Sequence, residues 1–280
     1  MWGNVLKKKE STWLVNNSEQ KEVFIFFSDI ESFTNISEKL RPEEVTKMLN
    51  IYFYHLWKEI EKSWWFIDKY IWDSIMAFWE NIKTADKILD VVLRIEKLHK
   101  KINEEISNTL NKKINLKTRI WLHYWKVIVW DVWNFSWKIS YTIIWDNVNL
   151  ASRLEWVNKF YGTNIVLSEE VINKIKNNSL YKYRLIDKIT VKWKTKGIKI
   201  YQLLSNENNI NDITYIRKFE KWVYYYITWI FESAFTIFLE LKNTDLWKKD
   251  KVLDIMLNRV KQLIKNPPEN WEWIWKYDKK

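Results

Sequence analysis

Residues 23–79 read VFIFFSDIESFTNISEKLRPEEVTKMLNIYFYHLWKEIEKSWWFIDKYIWDSIMAFW, and two aspartates in this stretch occupy matched places. Asp29 closes the apolar run Val23-Phe24-Ile25-Phe26-Phe27, which reads as a buried strand because bulky and β-branched residues suit a pleat covered on both sides. Asp73 lies between the runs Phe66-Ile67-Asp68-Lys69-Tyr70-Ile71 and Ser74-Ile75-Met76-Ala77-Phe78. Two short apolar runs meeting at one aspartate predict a tight hairpin. A lone aspartate at such a place more often closes a turn than holds a metal. If the hairpin pairs beside the first strand, both carboxylates emerge at one sheet edge, where their oxygens suit hard divalent cations.

Outward from this stretch the pattern alternates between the helical and strand periods. Thr34 or Asn35 is placed to cap a short helix, and Arg41-Pro42-Glu43-Glu44 opens a longer one, with proline and acidic residues in its first turn. Val45, Met48, Leu49, Tyr52, Phe53 and Leu56 then recur at helical spacing, as Ile88, Val91, Val92, Ile95 and Leu98 do between Ala85 and Leu110. Residues 116–121, 126–132 and 139–144 read as three strands, and 146–160 as a helix opened by Asp146 or Asn147. This β-α-β-β-α-β order is an α+β, ferredoxin-like arrangement, which sets the first strand and the hairpin side by side.

The remaining sequence bounds the functional classes. A chain of 280 residues holds one substantial domain and a smaller appendage. The net charge of +11 is spread along the chain rather than concentrated in a block, so no nucleic-acid partner is expected. With no cysteine there is neither disulfide nor thiolate metal site. His55, His99 and His123 lack metal-ligand spacing, which leaves structural or surface roles. Residues 1–20 read as a flexible lead-in without a signal peptide, residues 21–204 as the main domain, and the polar run 205–209 as a linker.

Residues 212–280 predict a helical tail. Tyr224-Tyr225-Tyr226, Trp229 at a turn and Phe231-Glu232-Ser233-Ala234 resemble one tetratricopeptide-like repeat, and Pro267-Pro268 stops the last helix. One such pair buries its apolar face poorly by itself, so the tail is expected to pack on the main domain or on a protein partner. Residues 223–241 are apolar enough to suggest a membrane span, but Glu232 and Glu240 inside them argue against one. A cytoplasmic protein is expected, with room for a sensor or anchor upstream.

Seven stretches together resemble the catalytic domain of class III nucleotidyl cyclases: FSDIESFT (27–34), RPEEV (41–45), LNIYF (49–53), IDKYIWDSIMAF (67–78), RIWLHYWKVIVWDVW (119–133), YTIIWDNVNLASRLE (141–155) and VKWKTKG (191–197). One departure recurs. Trp64, Trp65, Trp72, Trp79, Trp121, Trp125, Trp130, Trp133, Trp145, Trp156 and Trp193 stand where the family has glycine. Glycine serves where a chain needs positive φ or close approach, and tryptophan is its bulkiest replacement. Proteins average roughly 7% glycine, whereas this chain has 3 Gly and 21 Trp. The two residues look exchanged, as they would be if UGA, read as glycine by the source organism, had been translated as tryptophan. The competing reading is a genuinely tryptophan-rich, inactive relative.

The resemblance implies an adenylate cyclase that converts ATP to 3′,5′-cyclic AMP and pyrophosphate. Two divalent cations, Mg2+ or Mn2+, are implied on Asp29, Ile30 and Asp73. Lys69 and Thr142 stand at the base-reading positions, Asn149 and Arg153 at those that orient the ribose and stabilise the pentavalent phosphorus, and Lys192 at that of the terminal phosphates. Asn149 and Arg153, four apart, share one helix face; without the resemblance they would pass for a surface pair. Because the family builds its sites from two subunits and this chain carries the complete set, a homodimer with shared active sites is implied. Alternatives are a guanylate cyclase, in which a glutamate replaces the lysine, and a silent dimerisation or scaffold protein.

Overall fold

The computed structural model describes residues 18–63, 66–133, 139–144, 157–190, 197–204, 213–245 and 250–276. The first strand, β1 (Ser18–Ile30), is followed by a short helix α1 (Phe33–Ser37), the long helix α2 (Pro42–Glu61), and the hairpin β2 (Phe66–Ile71) and β3 (Ser74–Trp79). Helix α3 (Asp86–Leu110) then leads into the long strand β4 (Thr118–Trp133). The sheet order β2-β3-β1-β4 is that of a ferredoxin-like unit, as the alternation of strand and helix patterns predicts.

Beyond β4 come β5 (Ile139–Ile144), β6 (Ile165–Ser168), the single turn α4 (Glu169–Ile172), β7 (Lys182–Thr190) and β8 (Ile198–Leu204). They extend the sheet through β6, β8 and β7, while β5 pairs with β4 off the main path. Of the helix expected over 146–160, residues 157–161 are helical and 145–156 lie outside the described residues.

Alternation along the strands divides the core. Phe24 and Phe26 of β1, Ile75 and Ala77 of β3, and Ile120 and Leu122 of β4 pack under Met48, Tyr52, Leu56 and Ile60 of α2 and Ile88, Val92 and Ile95 of α3. Val23 and Ile25 of β1 belong to the opposite face, with Met76, Phe78, Val127 and Val129. Helix α2 begins where the sequence places it: Arg41 is the N-cap, Pro42 the first helical residue, and Glu44 accepts from the Arg41 N–H at 2.8 Å. Lys112 adds an ion pair at 2.8 Å, and that contact first, then the Arg41 N–H, holds the Glu44 carboxyl down at about 2.

Three boundaries differ from the sequence reading. β1 reaches back to Ser18, inside the expected lead-in, because residues 18–22 continue the antiparallel ladder with 126–130. The two strands expected at 116–121 and 126–132 are one, because that ladder runs unbroken through Leu122, His123, Tyr124 and Trp125. The short helix starts at Phe33, with Ser32 as its N-cap at φ 59°, ahead of the expected Thr34 or Asn35.

Three helices follow, α5 (Ile213–Ile227), α6 (Phe231–Lys242) and α7 (Lys251–Lys265), and a two-residue strand β9 (Trp275–Lys276) pairs parallel with β7. Phe219 and Trp222 of α5, Phe238 of α6, and Leu253 and Met256 of α7 share a core with Trp121, Val166, Ile186 and Ile200 of the sheet. The tail therefore packs on the sheet of its own chain. Two strand residues fasten it: Arg184 makes a bidentate pair with Asp250, at 2.5 and 2.8 Å, and Asp187 pairs with Arg259 at 2.6 Å. All four residues are buried. Among the described residues no helix is long and apolar enough to cross a membrane.

Candidate active site

Asp29 is the penultimate residue of β1, where the strand leaves the sheet, and its register partner on β4 is Arg119. The Arg119 Nη2 donates to Asp29 Oδ2, and both residues are buried. Asp73 occupies the two-residue turn between Ile71 and Ser74. Because β3 pairs with β1, with Ile75 opposite Ser28, this turn folds over the end of β1. The Ile30 N–H donates to Asp73 Oδ2 at 3.0 Å, so the Asp29–Ile30 segment and the second carboxylate meet directly. Burial pushes the Asp73 carboxyl up, opposed by the Ile30 N–H and by the Arg119 charge.

Beneath this edge lies a buried hydroxyl chain. The Tyr52 hydroxyl sits 3.0 Å from Thr118 Oγ1, which is 2.7 Å from His99 Nε2. Thr118 is also the register partner of Ile30. Burial above all, with the charges of Asp29 and Asp73 adding to it, pushes the Tyr52 phenol up. Burial also pulls His99 down to about 4, leaving a neutral imidazole as acceptor for the Thr118 N–H at 3.1 Å. His55 pairs with Glu105 and His123 with Ser168, each at 2.7 Å.

The donor set fits the divalent ions implied for it. Two carboxylates and the Ile30 carbonyl are hard oxygen donors at one sheet end, and Asp73, destabilised as an anion by its burial, gains from a nearby cation. Among the described residues no third histidine or acid joins them.

Lys69 lies on β2, four residues before Asp73, and its ammonium is 3.1 Å from Asp68 Oδ2. Thr142 lies on β5 opposite Trp130 of β4, and β2 and β5 come into contact. Asn149, Arg153 and Lys192 fall outside the described residues. Arg119 went unremarked in the sequence reading, yet it carried a signal. A guanidinium at the head of the apolar run Ile120-Trp121-Leu122 calls for a buried acid opposite it, and register supplies Asp29.

The adenylate and guanylate cyclase catalytic domain model matches residues 15–205. The chain belongs to this family. An adenylate cyclase of Anabaena cylindrica is 34% identical over 68% of the chain and 38% of its own length. Adenylate cyclase 1 of Rhizobium meliloti is 29% identical over 69% of the chain and 29% of its own length. The cyclase chain spans well under half the length of these curated relatives. Among solved structures, the adenylyl cyclase CyaB from P. aeruginosa is similar at TM-score 0.58 and 27% identity, covering 69% of this chain and 98% of that one. A bacterial light-regulated adenylyl cyclase shares the fold at TM-score 0.60 and 22% identity, covering 79% and 66%.

Proposed function

We propose that the chain is an adenylate cyclase that forms 3′,5′-cyclic AMP and pyrophosphate from ATP at sites shared by a homodimer. The observation that carries this reading is the meeting of Asp29 and Asp73 about the Ile30 peptide. Asp29, Asp73 and the Ile30 carbonyl would hold two Mg2+ or Mn2+ ions, which when bound lower the pKa of the ribose 3′-hydroxyl and stabilise the departing pyrophosphate. The 3′-oxygen bonds to the α-phosphorus, the α–β phosphoanhydride bond breaks, and the hydroxyl proton passes to solvent. Little covalent chemistry falls to the protein, so catalysis is positioning and neutralisation of charge.

Lys69 donates to a ring nitrogen that is an acceptor in adenine, and the Thr142 hydroxyl accepts from the exocyclic amine. Lys192 neutralises terminal phosphates as a flexible point charge, Asn149 orients the ribose, and Arg153 matches the equatorial oxygens with its planar fork. Lysine in place of glutamate at position 69 favours ATP over GTP. Assay of Asp29→Ala and Asp73→Ala chains with Mn2+ and ATP tests the reading: turnover is lost while the circular dichroism spectrum is unchanged. Persistence of cyclic AMP synthesis in either variant contradicts it.

We further propose that the tryptophans at family glycine positions are glycine in the protein the cell makes. Among those positions Trp72 has φ 56°, and in the tail, outside the family match, Trp229 and Trp273 have φ 69° and 47°, a region bulky L-residues rarely enter. Trp72 stands at the first central position of a two-residue hairpin turn, a place for glycine. Trp121 is buried with its indole N–H unbonded among the described residues, a cost glycine would not incur. UGA codons at these positions support the reading, and UGG codons refute it.

A further inference from the structure

From the turn outward β2 and β3 pair in step, Ile71 with Ser74, Tyr70 with Ile75 and Lys69 with Met76, but the next pair is Ile67 with Ala77. Asp68 is the extra residue of a β-bulge. In a regular strand, neighbouring side chains point to opposite faces; a bulge interrupts that alternation and re-aims a side chain. Here it brings the Lys69 ammonium to 3.1 Å from Asp68 Oδ2. The two partners sit in different surroundings, since the Asp68 side chain is 1% exposed and that of Lys69 is 40% exposed. Among the described residues neither oxygen of Asp68 accepts a hydrogen bond. A carboxylate buried without donors is costly unless a cation stands against it, and Lys69 supplies one. Asp68 in turn restrains an otherwise flexible four-carbon stem.

We propose that Asp68 is a positioning residue of the nucleotide-base site that sets its preference for adenine by anchoring the Lys69 ammonium. This rests on the assignment of Lys69 to the base. An ammonium has three donors and no acceptor. Held in an ion pair by Asp68, the ammonium is placed to donate to the base, where the adenine ring nitrogen accepts and the corresponding guanine N–H donates. The bulge fixes this orientation in the strand rather than leaving it to a mobile side chain.

The test is steady-state cyclisation of ATP and of GTP, with Mn2+, by the full chain carrying Asp68→Asn, Asp68→Glu or Lys69→Ala. Asp68→Asn keeps the shape and removes the charge. It is expected to raise KM for ATP about tenfold, the equivalent of one partly exposed charged contact, with kcat within about twofold and the preference for ATP reduced in proportion. Asp68→Glu keeps the anchor and recovers most of the preference; it also serves if Asp68→Asn does not fold. Equal losses of kcat for both nucleotides at unchanged KM, or an unchanged preference in Asp68→Asn beside a lost preference in Lys69→Ala, overturn the proposal alone. An unchanged preference in Lys69→Ala overturns the base assignment and this proposal with it.

Discussion

Trp72 and Trp229 place the largest side chain where the backbone asks for the smallest. Both have positive φ, and both are exposed, Trp72 at 86% and Trp229 at 44%. Holding an L-residue there costs roughly 1–2 kcal/mol, and little packing offsets it. In the tryptophan-bearing chain, Trp72→Gly and Trp229→Gly are each expected to raise urea-unfolding stability by about 1 kcal/mol; loss of stability in both contradicts the exchange. Gly162, one of the three glycines present, has φ 66°, and a Cβ there would lie 2.8 Å from Lys251. At this scale the sequence was legible for Asp29 and Asp73, because each interrupts an apolar run. It was silent on Asp68 and Arg184, whose roles depend on partners or on a bulge that no local period encodes.

Between elements, legibility followed periodicity. Helix α2 was readable from Pro42 and Glu44, and the hairpin from the two runs flanking Asp73. β4 was not readable as one strand, since His123 and Lys126 break its apolar run and only pairing with β1 shows the continuity. The attachment of the tail was hidden for the same reason. Arg184 and Asp250 are 66 residues apart, with the Tyr215 hydroxyl 2.7 Å from Asp250 and Gln202 Oε1 2.9 Å from the Arg184 Nε. Removing one partner strands a buried charge. Arg184→Met is expected to cost about 3–5 kcal/mol in urea unfolding, whereas Arg184→Met with Asp250→Asn costs much less. Equal losses in the two proteins would show that the pair itself is unimportant.

Across the molecule, the two faces of the sheet are put to different uses. One is covered by α2 and α3, and part of the other by the tail helices. The carboxylates of Asp29 and Asp73, proposed to hold the metal ions, meet at the end of β1. The ferredoxin-like core followed from the order of strand and helix patterns, while the sheet extension through β6, β8 and β7 had only short apolar runs to announce it. The proposed site, with carboxylates from one subunit and Arg153 from the other, makes a demand a single-chain site does not. Two inactive variants must repair each other.

Mixing equal amounts of Asp29→Ala and Arg153→Ala chains, after dissociation and reassociation, tests this most directly. Half of the resulting dimers carry one variant of each kind, with one intact site of two, so cyclic AMP synthesis should return to about a quarter of the wild-type rate. A mixture as inactive as its two components, with mixed dimers demonstrably present, contradicts the shared site.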